Sequence, residues 1–397
     1  MIVLVARSHP APTQTFHRRM ARALAEVRPG VVRVALKRGD GPPDRDDATR
    51  FPREEGASAL RAFVRRPLAA TRLLVGAVAR ARRGNKEGGR AGAALAWRDG
   101  LRLADWARRS PGVVRFHAQF ASWEATAALV AARLSRARFS FELHNPYTFV
   151  KGRSMLAWKL GAADLATAIS DDARRRAIGL ALVPGVASRI AIVRCGVDLD
   201  EVPARREGGP DVVAVGSLVP RKGHDVLVRA LCRLAATRPG LCAVVVGDGP
   251  ERARLEALAA EIAAPVRFVG ALPEDEAWAL AASARVGALA CVTADDGDED
   301  GIPVALVEAM AAGTPVVSTP VGGMAELLED GEAGLLVPAR DPVALAAAIE
   351  RLLDDEPLRA RLADRGRAAV AARHDVRACA RDLSAAFDRA QGLASAT

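Results

Sequence analysis

The chain has 397 residues, half of them hydrophobic, and a formal net charge of +10. That length and apolar content suit two or three domains with buried cores and exclude a wholly disordered chain. The counts of 34 Gly, 23 Pro and 5 Cys exclude collagen-like and disulfide-scaffold classes.

The opening Met1 to Arg7 reads as a buried-type strand, 2–6. It has no basic leader and too few apolar residues for a secretory signal. A loop, 8–15, leads to a helical pattern at 16–27, and a second strand follows at 31–36. Strand, helix, strand is the start of a parallel sheet. Residues 39–56 are polar and rich in Pro and Gly, so they read as loop. Residues 57–110 are helical in pattern and strongly basic. Strands at 113–116, 139–143, 165–169 and 191–194 and a helix at 122–137 complete the first half. Ser170 is placed to cap a helix that starts at Asp171.

Residues 200–210 carry two Pro and two Gly with mixed charge and read as a linker. Beyond it the alternation restarts. Strands are expected at 212–215, 242–246, 266–269, 286–290, 315–318 and 334–337. Helices are expected at 225–236, 251–262, 304–312, 325–329, 342–353 and 357–372. The fold class is therefore α/β, with two Rossmann-like parallel-sheet domains facing a central cleft. The domains are placed at 1–205 and 206–372, with a last helix at about 373–397 that the resemblance set out below implies packs back on the first. No run approaches about 18 apolar residues, and the longest, 68–81, is broken by Arg72 and Arg80. A cytoplasmic chain, with scattered reduced cysteines, is the expectation.

The charge is split along the chain. Residues 1–205 carry 37 basic and 18 acidic side chains, a net +19, and residues 206–397 carry 20 and 29, a net −9. An anionic partner for the first half is one reading. Only five of the 57 basic residues are Lys, so codon bias stays open as the source of the Arg excess. The five cysteines and six histidines show no C-x-x-C, H-E-x-x-H or H-x-x-x-H spacing, and no metal site is expected.

The stretch 295–318 is the most informative. An acidic loop runs through Asp300, Gly301, Ile302 and Pro303 into an apolar helix beginning near Val304, with Glu308 on that helix. Pro is favoured at a helix start. The backbone N–H groups there can receive a phosphate, and Glu308 could hold a sugar diol. An ordinary amphipathic helix behind a solvated loop is the alternative. Val215 to Gly223 adds a strand-end loop with Ser217, Arg221 and Lys222. A G-D-G-P turn lies at 247–250, and Val269, Gly270, Ala271 and Leu272 form another strand end.

Together these segments resemble retaining family 4 glycosyltransferases of GT-B fold, over residues 211–372 with few gaps. Asp300 and Glu308 match the family's two acids eight residues apart, with Asp in place of the first Glu. The loop 215–223 resembles the donor-diphosphate loop. Lys222 matches its Lys, and Ser217 stands where its Arg is usual. The segment with Val269 and Leu272 resembles the one whose backbone reads the nucleotide base. The resemblance implies that Ser217, Arg221, Lys222, Val269, Leu272, Asp300, Gly301, Ile302, Pro303, Val304 and Glu308 line the donor site. It also implies that Lys222 and Asp300 take part in the reaction.

The first half matches more loosely. Residues 139–144 resemble the strand whose terminal His lies near the donor sugar, which makes His144 a candidate in the reaction centre. Residues 115–121 resemble the strand-end loop before it. Residues 12–16 resemble a loop-to-helix element, in which Thr15 reads as a helix cap. The pattern is closest to exopolysaccharide members of the colanic-acid type.

The resemblance implies a retaining, metal-independent transferase without cofactor. It would move a sugar from a nucleotide-diphosphate sugar, UDP- or GDP-linked, to a glycan or lipid-linked acceptor. The donor would sit in the second domain and the acceptor in the first. A GT-B nucleotide-sugar-binding scaffold with weak or no transfer is the alternative, motivated by Ser217 and Asp300. An epimerase of similar shape would lack the full acidic-helix pattern. The basic stretch from Arg61 to Arg90 holds Arg65, Arg66, Arg72, Arg80, Arg82, Arg83 and Lys86 among apolar residues. It reads either as a peripheral contact with an anionic membrane or as a solvated basic face. With one Tyr and 4% aromatic residues, stacking platforms for nucleic acid are scarce, and no nucleic-acid partner is expected.

Overall fold

Runs of Val, Ile and Ala make the central strands, because a parallel strand covered on both faces needs apolar residues at successive positions. β1 (Ile2–His9) is buried over its first five residues. The computed structural model describes residues 1–9, 15–39, 48–81, 89–110, 112–144, 152–180 and 184–392. Two units emerge: residues 1–195 with 377–397, and residues 196–376.

In unit 1, β1 is followed by α1 (Thr15–Val27), β2 (Val31–Arg38), α2 (Ala59–Arg65), α3 (Pro67–Arg80) and α4 (Gly89–Arg109). Then come β3 (Arg115–Ala118), α5 (Trp123–Ser135), β4 (Arg138–Leu143), α6 (Arg153–Ala162), β5 (Leu165–Ala168), α7 (Asp171–Leu180) and β6 (Ile190–Ile192). The six strands are parallel in the order β2-β1-β3-β4-β5-β6. The core gathers Val3, Val5, Trp106, Phe116, Leu129 and Phe141.

Unit 2 contains β7 (Val212–Val215), α8 (His224–Ala235), β8 (Ala243–Val246), α9 (Arg252–Glu261), β9 (Val266–Gly270), α10 (Glu274–Ser283) and β10 (Val286–Ala288). It continues with α11 (Val304–Ala311), β11 (Val316–Ser318), α12 (Met324–Leu327), β12 (Leu335–Leu336), α13 (Pro342–Asp354) and α14 (Glu356–Arg373). Its parallel order is β12-β11-β10-β7-β8-β9, and its core holds Leu227, Leu231, Val245, Val286, Val317 and Ile349. α15 (Val376–Gly392) carries the chain back to unit 1.

Each sheet has a place where successive strands leave to opposite sides, between β1 and β3 in unit 1 and between β7 and β10 in unit 2. Open α/β sheets bind ligands beyond the carboxyl ends of the strands at such points.

The structure differs from the sequence reading in several places, among them two helices that the sequence reading lacked, α6 and α10. The basic stretch 57–110 is three helices, not one pattern. It breaks before Pro67, which lacks the N–H that would continue the preceding helix. Arg82, Arg83 and Lys86 lie outside the described residues, as do 10–14. α1 already begins at Thr15, which is thus helical rather than a flanking cap. The unit boundary falls at 195/196, ten residues before the expected 205/206. The Val197 N–H donates to the His374 carbonyl, and the Arg205 guanidinium binds the Ala282 and Ala284 carbonyls and Thr314, so both belong to unit 2. Ser170 does cap α7, its hydroxyl accepting from the Ala173 N–H at 3.1 Å. No helix among the described residues is long and apolar enough to cross a membrane.

Candidate functional site

In unit 2 the loop after β7 and the loop after β10 meet at the switch point. Residues Pro220–Lys222 form one 3-10 turn, closed by Gly223 at φ 63°. A Cβ at Gly223 would stand 1.8 Å from the Ala290 carbonyl oxygen, so only glycine lets the two loops come this close. The Val292 N–H donates to the Arg221 carbonyl at 2.9 Å and stitches them further.

This contact turns two cations onto one carboxylate. Lys222 Nζ lies 2.5 Å from Asp300 Oδ2, and Arg221 Nε lies 3.4 Å from Asp300 Oδ1. Arg221 Nη1 also donates to Asp298 Oδ2 at 2.9 Å. Burial raises the Asp300 carboxyl, but Lys222 and then Arg221 outweigh it and hold it below the usual carboxylate range. Burial likewise opposes the Arg221 charge, and Asp300 and Asp298 more than restore it. Behind Lys222, burial and then the Lys222 charge lower the His224 imidazole to about 4, so it stays neutral near pH 7.

The acidic loop is fixed from behind. The Gly323 N–H donates to the Gly301 carbonyl at 2.8 Å, and a Cβ on Gly322 would meet the Asp300 carbonyl at 2.1 Å. Gly301, Ile302 and Pro303 are buried, and Pro303 leads into α11 with an extended backbone. Val304 opens that helix. Glu308 sits in its second turn, partly exposed, its carbonyl accepting from the Trp278 indole at 2.8 Å. Ser217 lies in the loop between β7 and the 3-10 turn, its carbonyl accepting from the Val219 N–H. Val269 is in β9 and Leu272 just beyond it, at the same end of the sheet, two strands from β7. The structure thus joins Arg221, Lys222 and Asp300 directly and places Ser217, Gly301, Ile302, Pro303 and Val304 in the loops and helix start that carry them.

In unit 1, His144 follows β4 and its Nε2 is 2.5 Å from Glu142 Oε2. His117 of β3 sets its Nε2 2.8 Å from Glu142 Oε1, and its Nδ1 is 2.9 Å from Ser140 Oγ. His17 of α1 brings Nδ1 to 3.7 Å from Glu142 Oε2. Cys195 Sγ lies 3.5 Å from His144 Nδ1, and the rings of Phe16 and Phe120 flank His144. Burial pushes the Glu142 carboxyl up, yet hydrogen bonds from His117 and His144 bring it well below the usual range. Burial, then the neighbouring His144, lowers the His17 imidazole to about 3.

The Glycosyl transferases group 1 family pattern matches residues 198–369, which is nearly all of unit 2. The 2-deoxystreptamine glucosyltransferase of Streptomyces kanamyceticus is 32% identical over 284 residues, 62% of this chain and 70% of that protein. The chain belongs to the group 1 glycosyl transferases. A Salmonella typhimurium protein, WcaL, whose name places it as a colanic acid biosynthesis glycosyltransferase, is 38% identical over 165 residues. That match covers 40% of this chain and 41% of the relative, so less than half the relative's length is spanned. The sucrose-phosphate synthase of Thermosynechococcus elongatus superposes with TM-score 0.71 at 20% identity over 100% of this chain and 99% of that one. HepE of Anabaena, in complex with UDP-glucose, superposes with TM-score 0.68 at 19% identity over 98% and 99%. The chain has the GT-B fold.

Glu142 is a residue that sequence reasoning passed over. Its signal was present: side chains alternate along a strand, and Ser140, Glu142 and His144 are spaced by two. His17 and His117 gave no such signal, since they reach Glu142 from separate segments 125 and 25 residues away in the chain.

Proposed function

We propose that this transferase moves a sugar, with retention of configuration, from a nucleoside-diphosphate sugar to a glycan or lipid-linked acceptor. Unit 2 takes the donor and unit 1 the acceptor. The observation that carries the donor assignment is the convergence of Lys222, Arg221 and Asp300 at the switch point, next to the start of α11. Diphosphate entering there would draw Lys222 and Arg221 away from Asp300 and meet the α11 N-terminus, whose dipole favours anions. As the glycosidic bond breaks, the leaving diphosphate gains charge, and these groups stabilise it more than they stabilise the bound donor. No metal is then needed at the diphosphate.

Front-face attack, with the donor phosphate accepting the acceptor proton, follows the resemblance to retaining members. His144, held by Glu142, is the unit 1 group assigned to the donor sugar, and Asp300 and Glu308 are assigned to sugar hydroxyls. Relatives named for GDP-mannose-dependent transfer and the HepE complex with UDP-glucose make GDP- and UDP-sugars the first donors to try. Acceptors of the exopolysaccharide kind fit the likeness to WcaL. Exposed Leu60 (71%) and Leu68 (76%), with Val64, Val75, Arg65 and Arg72 beside them, suit a peripheral contact with an anionic lipid surface.

Titration with UDP-, GDP-, ADP- and dTDP-sugars, with hydrolysis followed in parallel, tests this. One donor should bind selectively, be slowly hydrolysed, and be lost in Glu308→Ala. No binding at millimolar concentration would overturn the reading. Selective binding with neither hydrolysis nor transfer would favour a nucleotide-sugar-binding scaffold, the reading that Ser217 in the usual Arg position supports.

A further inference from the structure

We infer that His17, Glu142 and His144 form a site for a divalent transition metal of the zinc class, built wholly from unit 1. The three residues offer ligand atoms that all lie within 4.8 Å of one another. Glu142 Oε2 is 2.5 Å from His144 Nε2 and 3.7 Å from His17 Nδ1. Ligands about 2.0–2.2 Å from a tetrahedral zinc stand roughly 3.3 Å apart, so shifts of about 1 Å bring all three onto one ion.

The surroundings fit a metal better than they fit a plain hydrogen-bond network. His17 is 4% exposed, its Nε2 is buried without a hydrogen-bond partner, and its Nδ1 stands 3.7 Å from Glu142 Oε2, beyond hydrogen-bond distance, so hydrogen bonding to Glu142 does not explain why this ring is buried here. One carboxylate, 12% exposed, faces three imidazoles, two on Oε2 and one on Oε1. Metal-binding histidines and carboxylates are steered by a second ring of hydrogen bonds. Here His117 holds Glu142 Oε1 and is itself held by Ser140, while Cys195 Sγ faces Nδ1 of His144. Two histidines and one carboxylate suit zinc, cobalt or ferrous ion and leave coordination positions for water or a substrate oxygen. The site occupies the carboxyl ends of β3 and β4 beside α1, the switch-point side of the unit 1 sheet. A bound ion takes the His144 Nε2 lone pair. Where His144 serves the transfer as proposed above, metal and that role are mutually exclusive, and zinc inhibits.

The test uses the untagged full chain, stripped of metal and titrated with Co²⁺ and Zn²⁺. One Co²⁺ per chain should bind with visible d–d bands and be displaced by Zn²⁺. X-ray absorption of the zinc-loaded chain should give a shell of nitrogen and oxygen at about 2.0–2.2 Å. His17→Phe, which keeps a buried ring, and Glu142→Gln should each weaken binding at least tenfold while thermal unfolding shows them folded. Absence of stoichiometric metal overturns the proposal, as does a sulfur shell, which would place the ion on cysteine. Unchanged affinity in a folded His17→Phe overturns it too. None of these readouts depends on donor binding, so they stand apart from the fate of the transferase reading.

Discussion

Lys222 and Arg221 compete for one carboxylate, and that competition sets the electrostatics of the proposed donor site. Asp300 holds two cations in place before any ligand arrives, which lowers the cost of ordering them. The usual Arg of this loop is Ser217 here, but Arg221 supplies a second positive charge within 3.4 Å of Asp300. Ser217→Arg should therefore tighten donor binding by less than about 1 kcal/mol, below the roughly 1.5–3 kcal/mol of a charged hydrogen bond. A calorimetric gain near the upper figure would mean that Arg221 does not reach the diphosphate.

At the same scale, Glu124 at the start of α5 is 2% exposed, and burial raises its carboxyl to about 7. The Ser122 hydroxyl donates to it at 3.0 Å. Its folded pKa lies above the unfolded value of about 4.3. Its contribution to stability is therefore complete below pH ~4.3 and is lost as pH rises to 7. That loss is ~3–4 kcal/mol. Glu124→Gln should remove this slope. Denaturant midpoints of the two proteins, compared from pH 4.5 to 7.5, check it, and parallel profiles would refute it.

At the scale of elements, α15 brings the two ends of the chain into one unit. It follows unit 2 in the chain yet packs in unit 1, with Leu383, Ala386, Phe387 and Ala390 buried. The Phe387 ring lies edge-on to His117 at 5.1 Å, and the Arg115 guanidinium stands 5.1 Å over it. Arg28 donates to Ser384 and Asp388, and Arg138 donates to the Ala390 carbonyl. These polar bonds give the helix one register on an apolar seat. Phe387→Ala should cost about 3–5 kcal/mol, as expected for an aromatic removed from a core, read from chemical denaturation of the full chain. The same change removes the ring behind His117 and so loosens one support of Glu142.

For the whole molecule, the charge split is concentrated in places of different consequence. In unit 1 the Arg61, Arg65 and Arg109 side chains converge on buried Asp105, which neutralises part of the basic stretch. Arg72, beside exposed Leu68 and Val75, remains on the outer face. Co-sedimentation with phosphatidylglycerol vesicles should exceed that with neutral vesicles and fall between 50 and 500 mM salt, as screening shortens the reach of the charges. Replacing Leu60 and Leu68 by Glu should weaken it at least tenfold, because each exposed leucine buried in lipid is worth about 1.5–3 kcal/mol. Equal binding to neutral vesicles, or no effect of the double change, would refute the lipid surface.

The sequence by itself determined the two parallel sheets and, apart from α10, the order of elements in unit 2, while the family resemblance tied Lys222 to the loop of Asp300. The sheets and elements follow from short-range signals: apolar runs of strand length, and Gly and Pro at the turns. Tertiary structure alone decided that Arg221 faces Asp300 and that His17, His117 and His144 surround Glu142. Such contacts join residues far apart in the chain. Their geometry comes from strand order and helix packing, which local propensity does not encode.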